Sequence, residues 1–240
     1  MSIKSTIESL KTIFIAIIIA LLIRSFIFEP FNIPSGSMKP NLLVGDYLFV
    51  TKWSYGYSKH SLPFSLPIIK GRIFYNQPER GDIAVFKTPE DNRTDYIKRI
   101  IGLPGDEIIV INGIVFLNNV ALSKIQIENF KEKNSLGQTI EIAQFKEILM
   151  KKNYNTLDLL NNGIADNTNT FKVPNDYFFV MGDNRDNSQD SRFKNIGFIP
   201  KSNLVGKARI IFFSLENSRF FELWKWPNAI RYSRIFSKIK

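Results

Sequence analysis

Hydrophobic positions in this chain fall into two regimes. The first is continuous: Ile13 to Ile23 is eleven residues without a polar side chain. Arg24 and Ser25 interrupt it, and Phe26-Ile27-Phe28 resume it. The stretch Thr12–Phe28 therefore reaches the lower limit of roughly 17 residues for a membrane span, provided Arg24 extends its head to the interface. A cleavable leader starts in the same way, but it needs small residues at −3 and −1 soon after its apolar core. The first small-x-small pattern outside that core is Ser35-Gly36-Ser37, well downstream and preceded by Pro34. The pattern predicts an uncleaved anchor. The flanking cations, Lys4 and Lys11 before and Arg24 after, orient it only weakly.

The second regime is short and broken. Tyr47–Trp53, Ile83–Lys87, Tyr96–Ile101 and Glu107–Ile111 are brief runs of β-branched and aromatic residues separated by Gly and Pro, which reads as strands. Asn112-Gly113 separates Ile108–Ile111 from Ile114–Leu117, and Asn-Gly supplies the positive φ angles of a tight hairpin turn. Tyr177–Met181 and Ala208–Phe213 add later strands. From about Asn118 to Thr170 the chain turns rich in Asn, Lys and Glu. There Ile142, Phe145 and Leu149 recur at helical spacing, predicting an amphipathic helix near Gln138 to Lys151. Asn161-Asn162-Gly163 and Asn167 to Thr170 read as loops. The expected organisation is an anchored tail over residues 1–29, a mostly β domain over 30–215 carrying a mixed insertion at about 118–170, and a tail over 216–240.

Composition sharpens this picture in three places. The 240 residues suit one anchor and one soluble domain, and 44% apolar residues are enough for a substantial core. The complete absence of cysteine removes disulfides, thiol catalysis and Cys-based zinc sites. A net charge of +10 points towards nucleic acid, an anionic membrane surface or a simple compositional bias. In the tail, Arg219, Lys225, Arg231, Arg234, Lys238 and Lys240 interleave with Phe220, Phe221, Trp224 and Trp226. That mixture suits either a lipid interface or packing on the domain edge, and Pro227 argues against one continuous helix.

Three polar segments could carry chemistry. Pro34-Ser35-Gly36-Ser37-Met38-Lys39-Pro40 follows the anchor closely. Ser37 lies nine residues beyond Phe28, which is at most about 30 Å of extended chain from the membrane surface. Tyr96 to Asp106 contains Lys98 and Arg99, which alternation along a strand sends to opposite faces. Lys98 can thus lie among apolar neighbours, or it is a cation that protects an edge strand. Gly182 to Arg192 is dense in hydrogen-bonding residues. As a calcium loop it fails, because Arg185 falls at a ligand position and no glycine falls at the sixth. His60 is the only histidine and sits in a Ser/Pro-rich loop, a poor setting for a catalytic triad. A serine nucleophile would need another base, and a desolvated, neutral lysine can serve.

Together these segments resemble bacterial signal peptidase I, the leader peptidase family. The resemblance is carried by Ser35-Gly36-Ser37-Met38-x-Pro40, by Arg80 to Phe86, by Tyr96 to Asp106, and by Gly182-Asp183-Asn184-Arg185-Asp186-Asn187-Ser188-x-Asp190-Ser191-Arg192. It covers roughly residues 31–117 and 173–213. It implies Ser37 as nucleophile and Lys98 as general base. Ser35 and the Ser37 backbone N–H would form an oxyanion hole, Ser188 would orient the lysine, and Asp183, Asp190 and Arg192 would hold the loop. Arg99 receives no catalytic role. The resemblance also implies a mostly β fold, with no cofactor, no metal and no nucleic acid. The substrates would be exported preproteins with small residues at −3 and −1. The chain would be a single-pass protein of the bacterial plasma membrane, with its domain on the outer, periplasmic face. Two departures stand out: many relatives have two spans, and some carry cysteines in an inserted region. Two other readings stay open on the sequence, a self-cleaving repressor with a related Ser-Lys site and a non-enzymatic anchored module that binds lipid or a partner.

Overall fold

A computed structural model describes residues 3–133, 137–160, 162–218 and 220–239. Asn161 of the expected loop and Arg219 and Lys240 of the basic tail lie outside the described residues. The apolar run forms helix α1 (Ile3–Phe26), long and apolar enough over Ile7–Phe26 to cross a membrane and almost wholly uncovered by the rest of the chain.

After α1 the chain is built from strands: β1 (Phe28–Asn32), β2 (Asp46–Thr51), β3 (Ile83–Lys87), β4 (Asp95–Gly102), β5 (Glu107–Ile111) and β6 (Ile114–Leu117). There follow β7 (Ser123–Gln126), β8 (Phe130–Lys133), β9 (Thr139–Leu149), β10 (Lys152–Asp158), β11 (Tyr177–Met181) and β12 (Leu204–Ser214). The main sheet runs β1-β2-β12-β3-β4-β11, extended by Ile199–Pro200 beyond β11 and by Ser237–Lys238 beside β12. Register shifts at Phe179/Val180, Ala208/Ile210 and Leu204/Gly206 bend it. The expected hairpin is present: Ile111 pairs with Ile114 across Asn112-Gly113, whose φ angles are both positive. Ile33, Met38, Leu48, Val50, Ile83 and Val85 fill one part of the core, and Phe86, Ile100, Phe178 and Val180 fill another.

One expectation fails. The helix expected near Gln138 to Lys151 is strand β9, flanked by β7, β8 and β10, and between residues 118 and 170 no described residue is helical. The insertion is therefore β rather than mixed. The reason is a change of phase. Ile140 and Ile142 alternate, and the alternation then shifts by one residue to Ala143, Phe145, Glu147 and Leu149. The shifted pattern imitates a spacing of three and four. Pairing on both edges of β9 satisfies its backbone and overrides the local preference.

Glu147 is buried on the same face as Leu149, where it meets Arg185 at 2.7 Å and accepts a hydrogen bond from Tyr154 Oη at 2.6 Å. The insertion is thereby tied to the Gly182–Arg192 loop. The tail folds back as well. Trp226 packs on Phe213, and Arg234 reaches the buried Asp46 carboxylate at 2.6 Å, beside β2 and β12. Truncating Glu147 to Ala leaves the Arg185 guanidinium buried without its partner, so unfolding in urea should show a loss of about 3–5 kcal/mol.

Candidate active site

The serine loop is set by what surrounds it. Ile33 exchanges backbone hydrogen bonds with the β2 entry, through Ile33 N to Asp46 O and Gly45 N to Ile33 O. Met38 is fully buried in the core, so the chain cannot lift Ser37 away from the sheet without exposing it. Ser37 is itself nearly buried, and Ser35 Oγ lies 3.3 Å from Ser37 Oγ. Among the described residues no acceptor in the chain meets the Ser37 N–H.

Lys98 comes from β4, opposite Ala84 of β3. Its ammonium donates to Ser37 Oγ at 2.6 Å across a separation of sixty-one residues. It is 4% exposed. Burial pushes its pKa down from the usual 10.5 to about 8; the carboxylates of Asp190 and Asp183 oppose this, and the Arg192 guanidinium adds to it. The next residue, Arg99, points to the other face. There it forms a two-pronged pair with Asp183 at 2.8 and 2.7 Å, donates to Gly81 O, and stacks over the Tyr154 ring. Alternation along one strand thus puts a lysine that can lose its proton beside the serine, and sends an arginine that cannot into an ion pair.

The Gly182–Arg192 loop closes the site from the other side. Asn184 N donates to Ser37 O and Asn184 Nδ2 to Gly36 O, both at 3.1 Å. Asp190 accepts from Gly182 N and from both prongs of Arg192. Burial alone would raise the Asp190 pKa, but Arg192 and these hydrogen bonds hold it below the usual carboxylate range. Gly182 cannot carry a side chain: a Cβ there would lie 2.2 Å from Ser188 Oγ and 2.6 Å from Ser37 O. This is the place where the two loops touch.

Of the residues expected from the sequence, Ser35, Ser37 and Lys98 converge, with the Asp183 and Asp190 loop behind them. Ser188 is nearby and buried, but its Oγ makes no hydrogen bond to Lys98; it lies beside the Asp190 carboxylate and helps to hold that group charged. His60 is elsewhere, bonded through Nδ1 to Ser65 Oγ. Two contributors escape sequence reasoning. Asn184 clamps the serine loop, yet in the sequence it is one polar residue among many in its run. Glu147 was hidden by the phase shift in β9. Asp158, Asp166 and Asp186 bring carboxylate oxygens within 4.8 Å of one another. They are answered by Lys124 and by the backbone amides of Leu159, Leu160 and Gly163.

With this geometry in hand, comparison with known proteins gives a consistent answer. The family model for signal peptidase, peptidase S26, matches residues 6–213. The signal peptidase I of Rickettsia typhi is 40% identical, with 93% of this chain and 90% of that protein covered. That of Rickettsia canadensis is 39% identical, over 98% and 94% respectively. A signal peptidase I from Enterococcus faecalis, solved as a crystal structure, aligns at 25% identity with a TM-score of 0.33, covering 55% of this chain and 97% of that one. The class is that of the serine endopeptidases, here on a mostly β scaffold behind an N-terminal apolar helix. Within it, the chain belongs to the signal peptidase I family, whose members are membrane-associated and remove signal peptides. This membership removes the self-cleaving repressor and the non-enzymatic module as alternatives.

The buried lysine has a stability consequence. Its pKa is near 8 in the fold and 10.5 in the unfolded chain, so between those values the unfolded state binds more protons and stability rises with pH. Below about pH 8 both states are charged and the fold carries a penalty on the order of 3 kcal/mol. Lys98→Met should therefore raise the midpoint of urea unfolding at neutral pH. That advantage should shrink as pH climbs from 8 towards 10; an advantage independent of pH would mean that the amine is not desolvated.

Proposed function

We propose that this chain is a membrane-anchored endopeptidase that removes signal peptides from exported preproteins with a Ser37–Lys98 dyad. One observation carries the reading: the amine of a nearly buried lysine lies 2.6 Å from a nearly buried serine hydroxyl. Lys98, once neutral, takes the Ser37 proton as Oγ attacks the scissile carbonyl, and then passes it to the leaving amine. Water next attacks the acyl-enzyme by the same route and restores both groups. The oxyanion is received by the unpartnered Ser37 N–H and the Ser35 hydroxyl. Loss of one such donor costs about 3–4 kcal/mol of transition-state stabilisation. Ser188 Oγ is the buried hydroxyl available to hold the Lys98 amine as its proton moves. Asp183, Asp190 and Arg192 keep the loop that presents it.

Small residues at −3 and −1 of the substrate fit narrow pockets beside such a site, which exclude larger side chains. The α1 helix is read as the single span, with its short N-terminal end in the cytoplasm and the domain on the outer face of the plasma membrane. Membrane lipid is then a constant neighbour, and neither metal nor cofactor enters the chemistry.

Two experiments test this reading. The detergent-solubilised protein, incubated with a model preprotein, should create one new N-terminus after a small-x-small site. Ser37→Ala and Lys98→Ala should each abolish cleavage, and retained cleavage by either sinks the dyad. Second, kcat/KM should rise about tenfold per pH unit below the Lys98 pKa near 8 and level off above it. A flat profile between about pH 6 and 9, with the fold intact, removes lysine as the base.

A further inference from the structure

Where α1 meets the domain there is a second polar site that the dyad does not use. Tyr57 Oη donates to Phe26 O at 2.9 Å and the two rings meet edge to face, which fixes the helix end against the domain. Beside this joint is a cavity of about 130 Å³ lined by Arg24, Glu29, Lys52, His60, Lys87 and Asp95. Most of the charge within it is internally matched. Glu29 takes Arg24 at 2.5 Å and Lys52 at 2.8 Å, and Asp95 takes Lys87 at 2.7 Å. Lys52 is also saturated by the carbonyls of His60 and Ser61.

Three donors remain unspent. Among the described residues, Arg24 Nη1 has no partner and Lys87 uses only two of its three protons, on Asp95 and on Arg93 O. The third is His60, 4% exposed, whose Nε2 is buried without a partner. When Ser65 donates to Nδ1, Nε2 carries the ring proton and is itself a donor. Burial, aided by the surrounding Lys59 and Lys87, holds the imidazole neutral down to about pH 4. An orphaned buried donor is destabilising, and the ring that carries it lines the cavity.

We propose that this cavity seats the phosphate-bearing headgroup of a membrane phospholipid, with Arg24 and Lys87 as donors to the phosphate and the His60 ring in the cavity wall. The proposal rests on the reading of α1 as a membrane span. Arg24 stands in the last turn of that helix, at the depth where headgroups lie. Three cations against two carboxylates leave an excess positive charge to meet the anion, and arginine matches phosphate oxygens in pairs. The lip decides between a lipid and a soluble phosphate. The loop that supplies Ser65 also carries Phe64, 99% exposed, and Ile68, 75% exposed, with Leu66 between them. Phe64 and Ile68 are left largely uncovered by the chain, whereas acyl chains beside the end of α1 would cover them.

The single histidine makes the site directly observable. In the full-length protein, held in the phosphate-free detergent dodecyl maltoside, the His60 ring resonance should shift saturably on adding phosphatidylethanolamine and phosphatidylglycerol. It should not respond to diacylglycerol with the same acyl chains, and inorganic phosphate should bind at least roughly tenfold more weakly than the lipid. Arg24→Gln and Lys87→Gln should each raise the half-saturating lipid concentration roughly fivefold. Phe64→Ser, at a side chain that touches nothing, should weaken the lipid response alone. No saturable shift, an equal shift with diacylglycerol, or inorganic phosphate binding as tightly as lipid would each overturn the proposal. Carbonate extraction of membranes separates the two levels. If the chain is released, the span itself is wrong and the headgroup site falls with it. If the chain is retained but His60 is silent, only the headgroup site falls.

Discussion

Removing water from one amine governs the organisation of this domain. In water a lysine is charged at any pH where a cell lives, and as a base it is useless. Held at 4% exposure between β3, the serine loop and the Gly182–Arg192 loop, Lys98 has its pKa brought to about 8. The fold must maintain that dryness with two acidic residues nearby, since Asp183 and Asp190 each favour the charged ammonium. It does so by giving each carboxylate its own guanidinium, Arg99 for Asp183 and Arg192 for Asp190. The Arg192 guanidinium opposes their pull, yet both carboxylates still favour the charged amine, and it is burial that outweighs them.

The same requirement explains the insertion. A polar loop such as Gly182–Arg192 has no apolar content with which to hold its shape. Leu157 of β10 bridges it through backbone hydrogen bonds with Asp183 and Arg185, and Asn41 ties Asp183 to the carbonyl of Asn155. Glu147 and Tyr154 complete the attachment from beneath. The Lys39–Glu132 ion pair connects the serine loop to the same insertion. A segment that looks peripheral in the sequence therefore braces both loops of the site.

These features were unequally legible in the sequence. Strands such as β3, β5, β6 and β11 could be read residue for residue, because each is short, apolar and bounded by Gly, Pro or Asn. The serine, the lysine and the polar loop could be named because their residue types and order resemble a known family. What stayed hidden depends on distant partners. A buried Glu147 makes sense only once Arg185 is known to face it, and β9 reads as a helix until its neighbours impose a second phase. Asn184 likewise gains meaning only when Gly182 allows the two loops to touch.

The alternation of Lys98 and Arg99 has a consequence for how this chain can fail. A slip of β4 by one residue against β3 and β11 would exchange the two cations. It would keep a positive charge beside Ser37 and another beside Asp183, so charge balance would survive even as the apolar side chains of β4 changed faces. The serine would then face a guanidinium that never gives up a proton. Gly102, where a Cβ would lie 2.5 Å from the Ile108 side chain, admits only one frame of β4, and so the residue that fits the packing also decides which cation meets the serine.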